Sequence, residues 1–326
     1  MQEQIELVNY YVPWFFPVVI FIFGTIVGSF LNVCIYRIPA KKSVVSPGSH
    51  CYACQKPIAF YDNIPVLSWF ILRGKARCCG APFSVRYAIV ELLTGALFLA
   101  CFLLRGPEVI VPGMVFIAIL VCATATDLDG FIIPEVFTVG GFIAGVLLAC
   151  FFPALHGFES TDIAWIGAMR SGIVATIGGI VGSGFILWLA MLAEVALRKQ
   201  AMGFGDVVFL GMIGTFCGWQ GAIFALFGGA LIGVFIGIPL MMIGALKSST
   251  VEELMEETNE PTTGEPENGE PKSDADSEEK KSIRGLAIPF GPMLAAGGLI
   301  YFLWAHQFID PYLAEFATLV FSDAPF

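Results

Sequence analysis

The chain has 326 residues, of which 57% are hydrophobic and only 13% are charged, and its mean hydropathy is +0.80. Soluble domains carry about 25% charged residues, so this composition excludes a soluble globular protein and indicates a polytopic membrane protein. Much of the net charge of −10 comes from the stretch between Lys247 and Arg284, which contains 12 acidic and 5 basic residues. The rest of the chain is nearly neutral and gives no indication of nucleic-acid binding.

Eight apolar runs predict an all-α membrane protein with about eight transmembrane helices. In chain order the runs are Phe15–Ile35, Ala88–Leu104, Val109–Thr126, Pro134–Phe152, Gly172–Leu197, Val207–Trp219, Gly221–Leu246 and Ile288–Trp304. The sixth run is short for a span, and we expect the irregular stretch Gly203–Asp206 to lead into it. A glycine-rich stretch at 178–184 lies inside the fifth run and predicts close helix packing.

These runs divide the chain into five parts. They are the first transmembrane helix (1–35), a loop domain (36–87), a transmembrane core (88–246), an acidic linker (247–287) and the last transmembrane helix with its tail (288–326). The linker is rich in Glu, Pro, Thr, Gly and Ser and has few large apolar residues, which predicts disorder.

Lysine and arginine residues predict the orientation of the spans, because they accumulate in cytoplasmic loops. With the N-terminus outside, the cytoplasmic segments are 36–87, 127–133, 198–206 and 247–287. These segments hold 15 of the 17 basic residues, and only Arg105 and Arg170 lie elsewhere. We therefore expect the loop domain, Asp127 and Asp206 to face the cytoplasm.

Two acidic positions stand at the ends of apolar runs, where a charged side chain beside hydrocarbon costs about 2.5–3.5 kcal/mol on insertion scales. One is Asp127-Leu128-Asp129 and the other is Gly203-Phe204-Gly205-Asp206. Asp206 alone could be an ordinary helix cap, but two aspartates at one membrane face are also the minimum set of groups for acid–base hydrolysis. Spacing does not distinguish Asp127 from Asp129. Gly203 and Gly205 would let an extended backbone approach Asp206.

The loop domain contains Cys51 and Cys54, followed by the adjacent pair Cys78 and Cys79. Cysteines in a cytoplasmic loop are better explained as metal ligands than as disulfides. Tetrahedral zinc needs four ligands, and two CxxC pairs would be the strong pattern, but Ala76 stands where the first cysteine of the second pair is expected. Either Cys78 or His50 could supply the fourth ligand. The alternative is a loop held by packing of Trp69, Phe70 and Ile71, in which the thiols are incidental.

Three further polar residues lie in or beside the spans. Asn32 could pair two helices. Glu91 could be a buried partner of Arg86, which lies near it in the sequence, or a substrate contact. The pairing with Arg86 is the interpretation that we favour.

Six blocks of the sequence resemble, in order, the motifs of the type IV prepilin peptidases. They are Gly28-Ser29-Phe30-Leu31-Asn32 with Arg37-Ile38-Pro39, Ser68-Trp69 with Leu72-Arg73-Gly74, Arg86-Tyr87 with Glu91-Leu92, Asp127-Leu128-Asp129 with Ile133-Pro134, Gly203-Phe204-Gly205-Asp206, and Pro289-Phe290-Gly291-Pro292. A single GxGD motif is weak evidence, whereas six blocks in family order are strong evidence.

The resemblance implies an intramembrane aspartyl protease in a bacterial inner membrane, with Asp127 and Asp206 as its catalytic pair. Such enzymes remove the short basic leader of prepilin-like or pseudopilin subunits after a glycine, at the cytoplasmic face. Many of them then methylate the new N-terminus, which implies S-adenosylmethionine as a methyl donor, whereas proteolysis needs no cofactor. The expected partners are prepilin substrates and membrane lipid.

The chain departs from the family pattern in three places. Val208 stands where the family often has lysine, Ala76 interrupts the second cysteine pair, and the acidic linker precedes the last helix. The alternative from another functional class is a proton- or ion-coupled transporter that uses intramembrane aspartates. A transporter built from repeats would carry similar motifs in its two halves, but the two aspartate motifs here differ.

Overall fold

The computed structural model describes residues 11–158, 164–198, 203–256 and 289–321. Within these ranges the chain is helical and contains no β-strand beyond two isolated bridges. The helices are α1 (Phe15–Arg37), α2 (Leu67–Ile71), α3 (Arg86–Arg105), α4 (Ile110–Gly130), α5 (Glu135–Phe151), α6 (Ala164–Leu197), α7 (Phe204–Glu256), α8 (Gly291–Ile300) and α9 (His306–Phe321). Short 3-10 turns occupy Phe60–Asn63 and Pro153–His156, and a π-helical turn, Tyr301–Ala305, joins α8 to α9.

Six helical segments of the described chain are long and apolar enough to cross a membrane. They are Phe15–Arg37, Arg86–Arg105, Ile110–Gly130, Trp165–Ala196, Phe204–Ile236 and Gly291–Leu313. The 17-residue helix α5 is a shorter apolar helix, and the segment beginning at Phe204 contains two spans rather than one. The predicted all-α multi-pass membrane protein is confirmed.

The chain reverses direction at Gly218, within α7. Gly218 has φ 70° and ψ 178°, a conformation that glycine adopts most readily. A Cβ placed on Gly182 of α6 would lie 2.9 Å from the Leu210 carbonyl oxygen and 3.0 Å from Ala222 Cβ. On one straight helix Leu210 and Ala222 would be about 18 Å apart. They therefore lie side by side on two antiparallel arms, which correspond to the sixth and seventh predicted runs.

Glycines form the closest contacts between the long helices. A Cβ on Gly178 would lie 2.3 Å from the Gly214 carbonyl oxygen, and a Cβ on Gly214 would lie 2.2 Å from that of Gly178. Helices α6 and α7 therefore touch through their backbones, which confirms the packing role predicted for the stretch 178–184. A Cβ on Gly229 would lie 2.8 Å from the Met293 carbonyl oxygen, so α8 packs equally closely on the second arm of α7.

Helix α7 extends into the segment that the sequence predicts to be an acidic disordered linker. Helix α7 continues past Lys247 to Glu256, so the first part of the segment predicted to be disordered is helical. The residues from Glu252 to Glu256 include Glu, Leu and Met, which have high helix propensity, and composition alone underestimated this. The rest of the predicted linker, 257–287, lies outside the described residues.

Two other boundaries also differ from the prediction. Helix α6 already includes Ala164, where the described residues resume, whereas the apolar run starts at Gly172, so the mixed sequence before that run also forms helix. The last apolar run was predicted to end at Trp304, but the π-helical turn carries the helix onward to Phe321.

Candidate active site

Asp127 lies in the last turn of α4, with only 6% of its surface exposed. Its Oδ2 accepts a hydrogen bond of 3.0 Å from the backbone N–H of Gly291, the first residue of α8. A Cβ on Gly291 would lie 2.5 Å from the same oxygen, so no larger residue fits there without a shift. The free N–H groups at a helix N-terminus favour a negatively charged partner. The start of α8 therefore holds the Asp127 carboxylate through the backbone.

Asp206 lies half-buried in the first turn of α7, and its backbone N–H donates to the Gly203 carbonyl oxygen at 3.2 Å. Asp127 and Asp206 line one cavity of about 320 Å³. The complete lining consists of Asp127, Phe131, Ile132, Ile133, Glu135, Thr138, Val139, Gly203, Phe204, Gly205, Asp206 and Val208. The structure thus brings together the two aspartates that the sequence analysis selected.

The two glycines beside Asp206 border open space. The atom nearest to a Cβ on Gly203 would be Asp206 Oδ2 at 3.9 Å, and the nearest to a Cβ on Gly205 would be Ile133 Cβ at 4.0 Å. Among the described residues, no packing contact therefore requires a glycine at either position. Both line the cavity, where missing side chains leave room for a bound backbone.

Asp129 lies outside the set of cavity-lining residues and pairs with Arg86 instead. The Arg86 Nη1 donates to Asp129 Oδ1 at 2.6 Å, and its Nη2 donates to the Ala125 carbonyl oxygen at 3.2 Å. Arg86 therefore joins the start of α3 to the last turns of α4. The favoured pairing of Arg86 with Glu91 is wrong, because tertiary packing places another helix within reach of the guanidinium.

Glu91 and Asn32 make separate contacts. Glu91 is 8% exposed, and its Oε2 accepts a hydrogen bond of 2.7 Å from the backbone N–H of Val66 in the loop domain. Asn32 Nδ2 donates to the Tyr87 carbonyl oxygen at 3.1 Å, so this side chain connects α1 to α3. This contact is of the helix-pairing kind that the sequence analysis considered for Asn32.

All four loop cysteines, Cys51, Cys54, Cys78 and Cys79, come together with their sulfurs within 4.8 Å of one another. The sulfurs of Cys51 and Cys79 are 3.6 Å apart, and those of Cys54 and Cys78 are 3.3 Å apart. Zn–S bonds of about 2.3 Å in a tetrahedron place neighbouring sulfurs about 3.8 Å apart, so this set fits zinc. His50 is not part of the cluster, since its Nδ1 lies 3.0 Å from the Gly48 carbonyl oxygen.

The electrostatics of the cluster favour a thiolate at Cys51. The backbone N–H groups of Cys54 and Ala53 point at its sulfur and lower the pKa of Cys51 to about 6. The hydrogen bond to Cys54 has the opposite effect on the pKa of Cys78, which is raised to about 12. The thiolate is the form of cysteine that binds a metal.

The cysteines lie on two similar turns, offset by 25 residues. In the first, the Cys51 N–H donates to the Lys56 carbonyl at 2.9 Å, and His50 forms an isolated antiparallel β-bridge with Pro57. In the second, the Ala76 N–H donates to the Ala81 carbonyl at 2.8 Å, and Lys75 forms the corresponding β-bridge with Pro82. Cys54 corresponds to Cys79 and Cys51 corresponds to Ala76, and the adjacent Cys78 brings the fourth sulfur into the cluster. The shared spacing from cysteine to proline could have revealed this repeat in the sequence.

Comparisons with known proteins place this site in a family. The sequence profile of the Bacterial Peptidase A24 N-terminal domain matches residues 22–104, and that of the Type IV leader peptidase family matches residues 114–238, which include both aspartates. The chain belongs to the type IV leader peptidase family. It is therefore a peptidase, and the transporter alternative is not favoured.

Named relatives agree with this family. The chain is 36% identical to a "Prepilin leader peptidase/N-methyltransferase" of Myxococcus xanthus over 77% of its own length and 71% of the relative. It is 30% identical to a protein of the same name from Aeromonas hydrophila, over 93% of this chain and 96% of the relative. It is also 35% identical to a "Type 4 prepilin-like proteins leader peptide-processing enzyme" of Escherichia coli, over 63% of this chain and 78% of the relative. No solved structure matches the chain.

Sequence reasoning missed the part that Gly291 plays in the site. The block Pro289–Pro292 was matched to the last helix and given no role beside the aspartates. The available signal was a proline at the second position of a helix directly after a glycine, which marks a helix N-terminus. Such a terminus offers free N–H groups, but the sequence does not indicate which acid receives them.

Proposed function

We propose that this protein is an intramembrane aspartyl endopeptidase that removes the basic leader of prepilin-like or pseudopilin subunits after a glycine. The observation that carries the proposal is that Asp127 of α4 and Asp206 of α7 line one cavity. Family membership and the leader-processing names of the relatives support this substrate class.

The hydrogen bond from Gly291 divides the roles of the two aspartates. Asp127 accepts an N–H hydrogen bond at a helix N-terminus, which favours its ionised form, so Asp127 takes the proton from the attacking water. Two nearby carboxylates share one proton, so Asp206 carries it and polarises the scissile carbonyl. As the water oxygen adds to the carbonyl carbon, the Asp206 proton passes to the carbonyl oxygen, which gives a tetrahedral gem-diol. The leaving amine nitrogen then takes the proton that Asp127 received from water as the C–N bond breaks, and one hydroxyl proton of the gem-diol returns to Asp206.

The rim of the cavity is suited to an apolar segment beside the scissile bond. Phe131, Ile132 and Phe204 all line the cavity, with exposed fractions of 49%, 69% and 73%. Exposed apolar side chains beside an active site are expected to contact apolar substrate. The hydrophobic helix that follows a prepilin leader would pack on this rim. With the basic loops inside the cell, the site faces the cytoplasm of a bacterial inner membrane.

The loop domain is the expected place of a second activity, methylation of the new N-terminus. The relatives' names include N-methyltransferase, which implies a methyl donor such as S-adenosylmethionine. Zinc held by Cys51, Cys54, Cys78 and Cys79 would cross-link the two turns of this domain and stabilise its fold. The zinc is then structural, and proteolysis at Asp127 and Asp206 needs no metal.

The experiment that tests this function uses the purified full-length protein in lipid nanodiscs. A synthetic prepilin peptide is incubated with it, with and without S-adenosylmethionine, and product masses are measured. Cleavage after glycine and, with the methyl donor, a further mass increase of one methyl group are expected. An intact peptide under all conditions would contradict the proposal.

A further inference from the structure

The loop domain contains a strained turn at Val66. The Leu67 N–H donates to the Pro65 carbonyl at 2.6 Å, which closes a three-residue γ-turn around Val66. Val66 has φ 63° and ψ −54°, the rare form of this turn. A positive φ is unfavourable for a β-branched residue, so the surrounding structure must hold Val66 in place.

A membrane helix provides the contact that holds this turn. The Val66 N–H points at Glu91 of α3 and donates to its carboxylate at 2.7 Å. Glu91 is buried, and a buried acceptor that loses its donor is costly, so the contact stabilises both partners. A hydrogen bond to a carboxylate is also about twice as strong as one between neutral groups.

The position of Glu91 is itself fixed by helix packing. A Cβ on Gly28 of α1 would lie 2.7 Å from the Cα of Glu91 and 3.1 Å from Thr94 Oγ1. The backbones of α1 and α3 therefore pack directly against each other at Glu91. This packing fixes the backbone that bears the Glu91 carboxylate.

Contacts inside the loop domain connect the Val66 turn to the cysteine-bearing turns. Helix α2 starts directly after Val66, and its Trp69 Nε1 donates to the Phe83 carbonyl beyond the second cysteine turn. Arg77, within that turn, forms a two-point ion pair with Asp62, whose side chain is 11% exposed. These contacts hold the loop domain together, and its Val66 turn contacts the membrane helices through Glu91.

We propose that Glu91 is the positioning residue that sets the cysteine-bearing loop domain on the membrane helices. It is neither an ion-pair partner of Arg86 nor a group in the proteolytic cavity. The part of this inference that concerns activity rests on the proposed methyl transfer. If the loop domain binds the methyl donor, loss of the contact should impair methylation while Asp127 and Asp206, held by α4, α7 and α8, continue to cleave.

The test compares Glu91→Ala with Glu91→Gln, which keeps an acceptor oxygen, and with Glu194→Ala as a control at an exposed acid on α6. Hydrogen–deuterium exchange of residues 60–72 reports on the Val66–Glu91 contact and does not depend on any enzymatic activity. Cleavage of a prepilin peptide and methylation of the separately supplied, already cleaved peptide are measured in parallel.

Glu91→Ala is expected to speed exchange in 60–72 about tenfold and to slow methylation by a similar factor, with cleavage within about threefold of wild type. Glu91→Gln should keep exchange and methylation close to their wild-type rates. Glu194→Ala should change neither rate. Adding Val66→Gly to Glu91→Ala should recover part of the protection, since glycine tolerates the turn.

Unchanged exchange in Glu91→Ala would overturn the proposal, and so would equal loss of cleavage and methylation. If wild-type protein does not methylate at all, the proposed second activity fails, whereas the exchange experiment still decides the role of Glu91. If Glu91→Ala does not accumulate, the double variant with Val66→Gly is measured in its place. Failure of that variant as well would show that Glu91 supports the membrane core, which also overturns the proposal.

Discussion

The backbone N–H of Gly291 donates a hydrogen bond of 3.0 Å to Oδ2 of Asp127. The contact joins the start of the last transmembrane helix to the end of α4, across 164 positions of sequence. The donor is a main-chain group, so the contact depends on the backbone position of α8. The last helix is therefore part of the proposed catalytic site, although it contributes no acid to it.

Gly291→Ala is expected to lower cleavage about 100-fold, because the added Cβ would displace the Asp127 carboxylate from its donor. The effect should fall on kcat, with KM nearly unchanged, since Gly291 is not among the residues that line the cavity. Gly233→Ala is the matched control: it faces the same segment, but its Cβ would lie 3.5 Å from the Met293 side chain, an ordinary contact. Equal kcat values for the two variants would contradict the role given to Gly291.

Asp127→Asn and Asp206→Asn should each abolish cleavage, because either change removes one of the two proton-transfer groups. Asp129→Asn should retain activity within a few-fold. Its ion pair with Arg86 is about half exposed on both sides, and such pairs contribute about 1 kcal/mol or less. Peptide cleavage is measured for all three variants, with methylation of already cleaved peptide as evidence that each is folded. An inactive Asp129→Asn beside an active Asp127→Asn would reverse the assignment of the pair.

Gly205→Ala tests whether the substrate backbone lies beside Asp206. The nearest protein atom to the new Cβ would be 4.0 Å away, so the variant should be as stable as wild type. A bound peptide would meet this methyl group, and KM is expected to rise about tenfold or more. Gly130→Ala, at the end of α4 with no atom within 4 Å of its Cβ, serves as the control. An unchanged KM for Gly205→Ala would place the substrate elsewhere in the cavity.

The features that the sequence predicts well are those set by neighbouring residues. Apolar runs reveal the spans, and the two acidic motifs stand out because carboxylates beside hydrocarbon are costly wherever the helices pack. The family resemblance, rather than the spacing, then selects Asp127 over Asp129. The sequence does not predict which side chains on different helices contact one another. Arg86 lies five positions from Glu91 in the sequence, yet it contacts Asp129 of α4, and Glu91 contacts the Val66 backbone. These choices depend on how α1, α3 and α4 approach one another, which glycines such as Gly28 determine and residue type alone does not reveal.

Replacing Cys51 and Cys54 together by serine should remove zinc and reduce methylation more than cleavage. The two cysteines supply half of the sulfur cluster, and they lie in the loop domain, away from the cavity that contains Asp127 and Asp206. Zinc content is measured by elemental mass spectrometry, and both products are measured on one peptide. Equal loss of cleavage and methylation would mean that the loop domain supports the whole fold, and unchanged methylation would exclude it from that reaction.

The two similar turns make a sharper prediction about the fourth ligand. Ala76 occupies the position in the second turn that Cys51 occupies in the first, with the same backbone hydrogen bond to a residue five positions later. Cys78→Ser should therefore lose zinc, since three thiolates remain where tetrahedral zinc needs four ligands. Adding Ala76→Cys to Cys78→Ser should restore one zinc per chain, because a sulfur at 76 would point into the cluster as that of Cys51 does. Ala53→Cys with Cys78→Ser is the control, as it returns the number of cysteines but not the position. Zinc content and thermal unfolding with and without a chelator would be measured, and equal zinc in both double variants would show that the site accepts any nearby thiol.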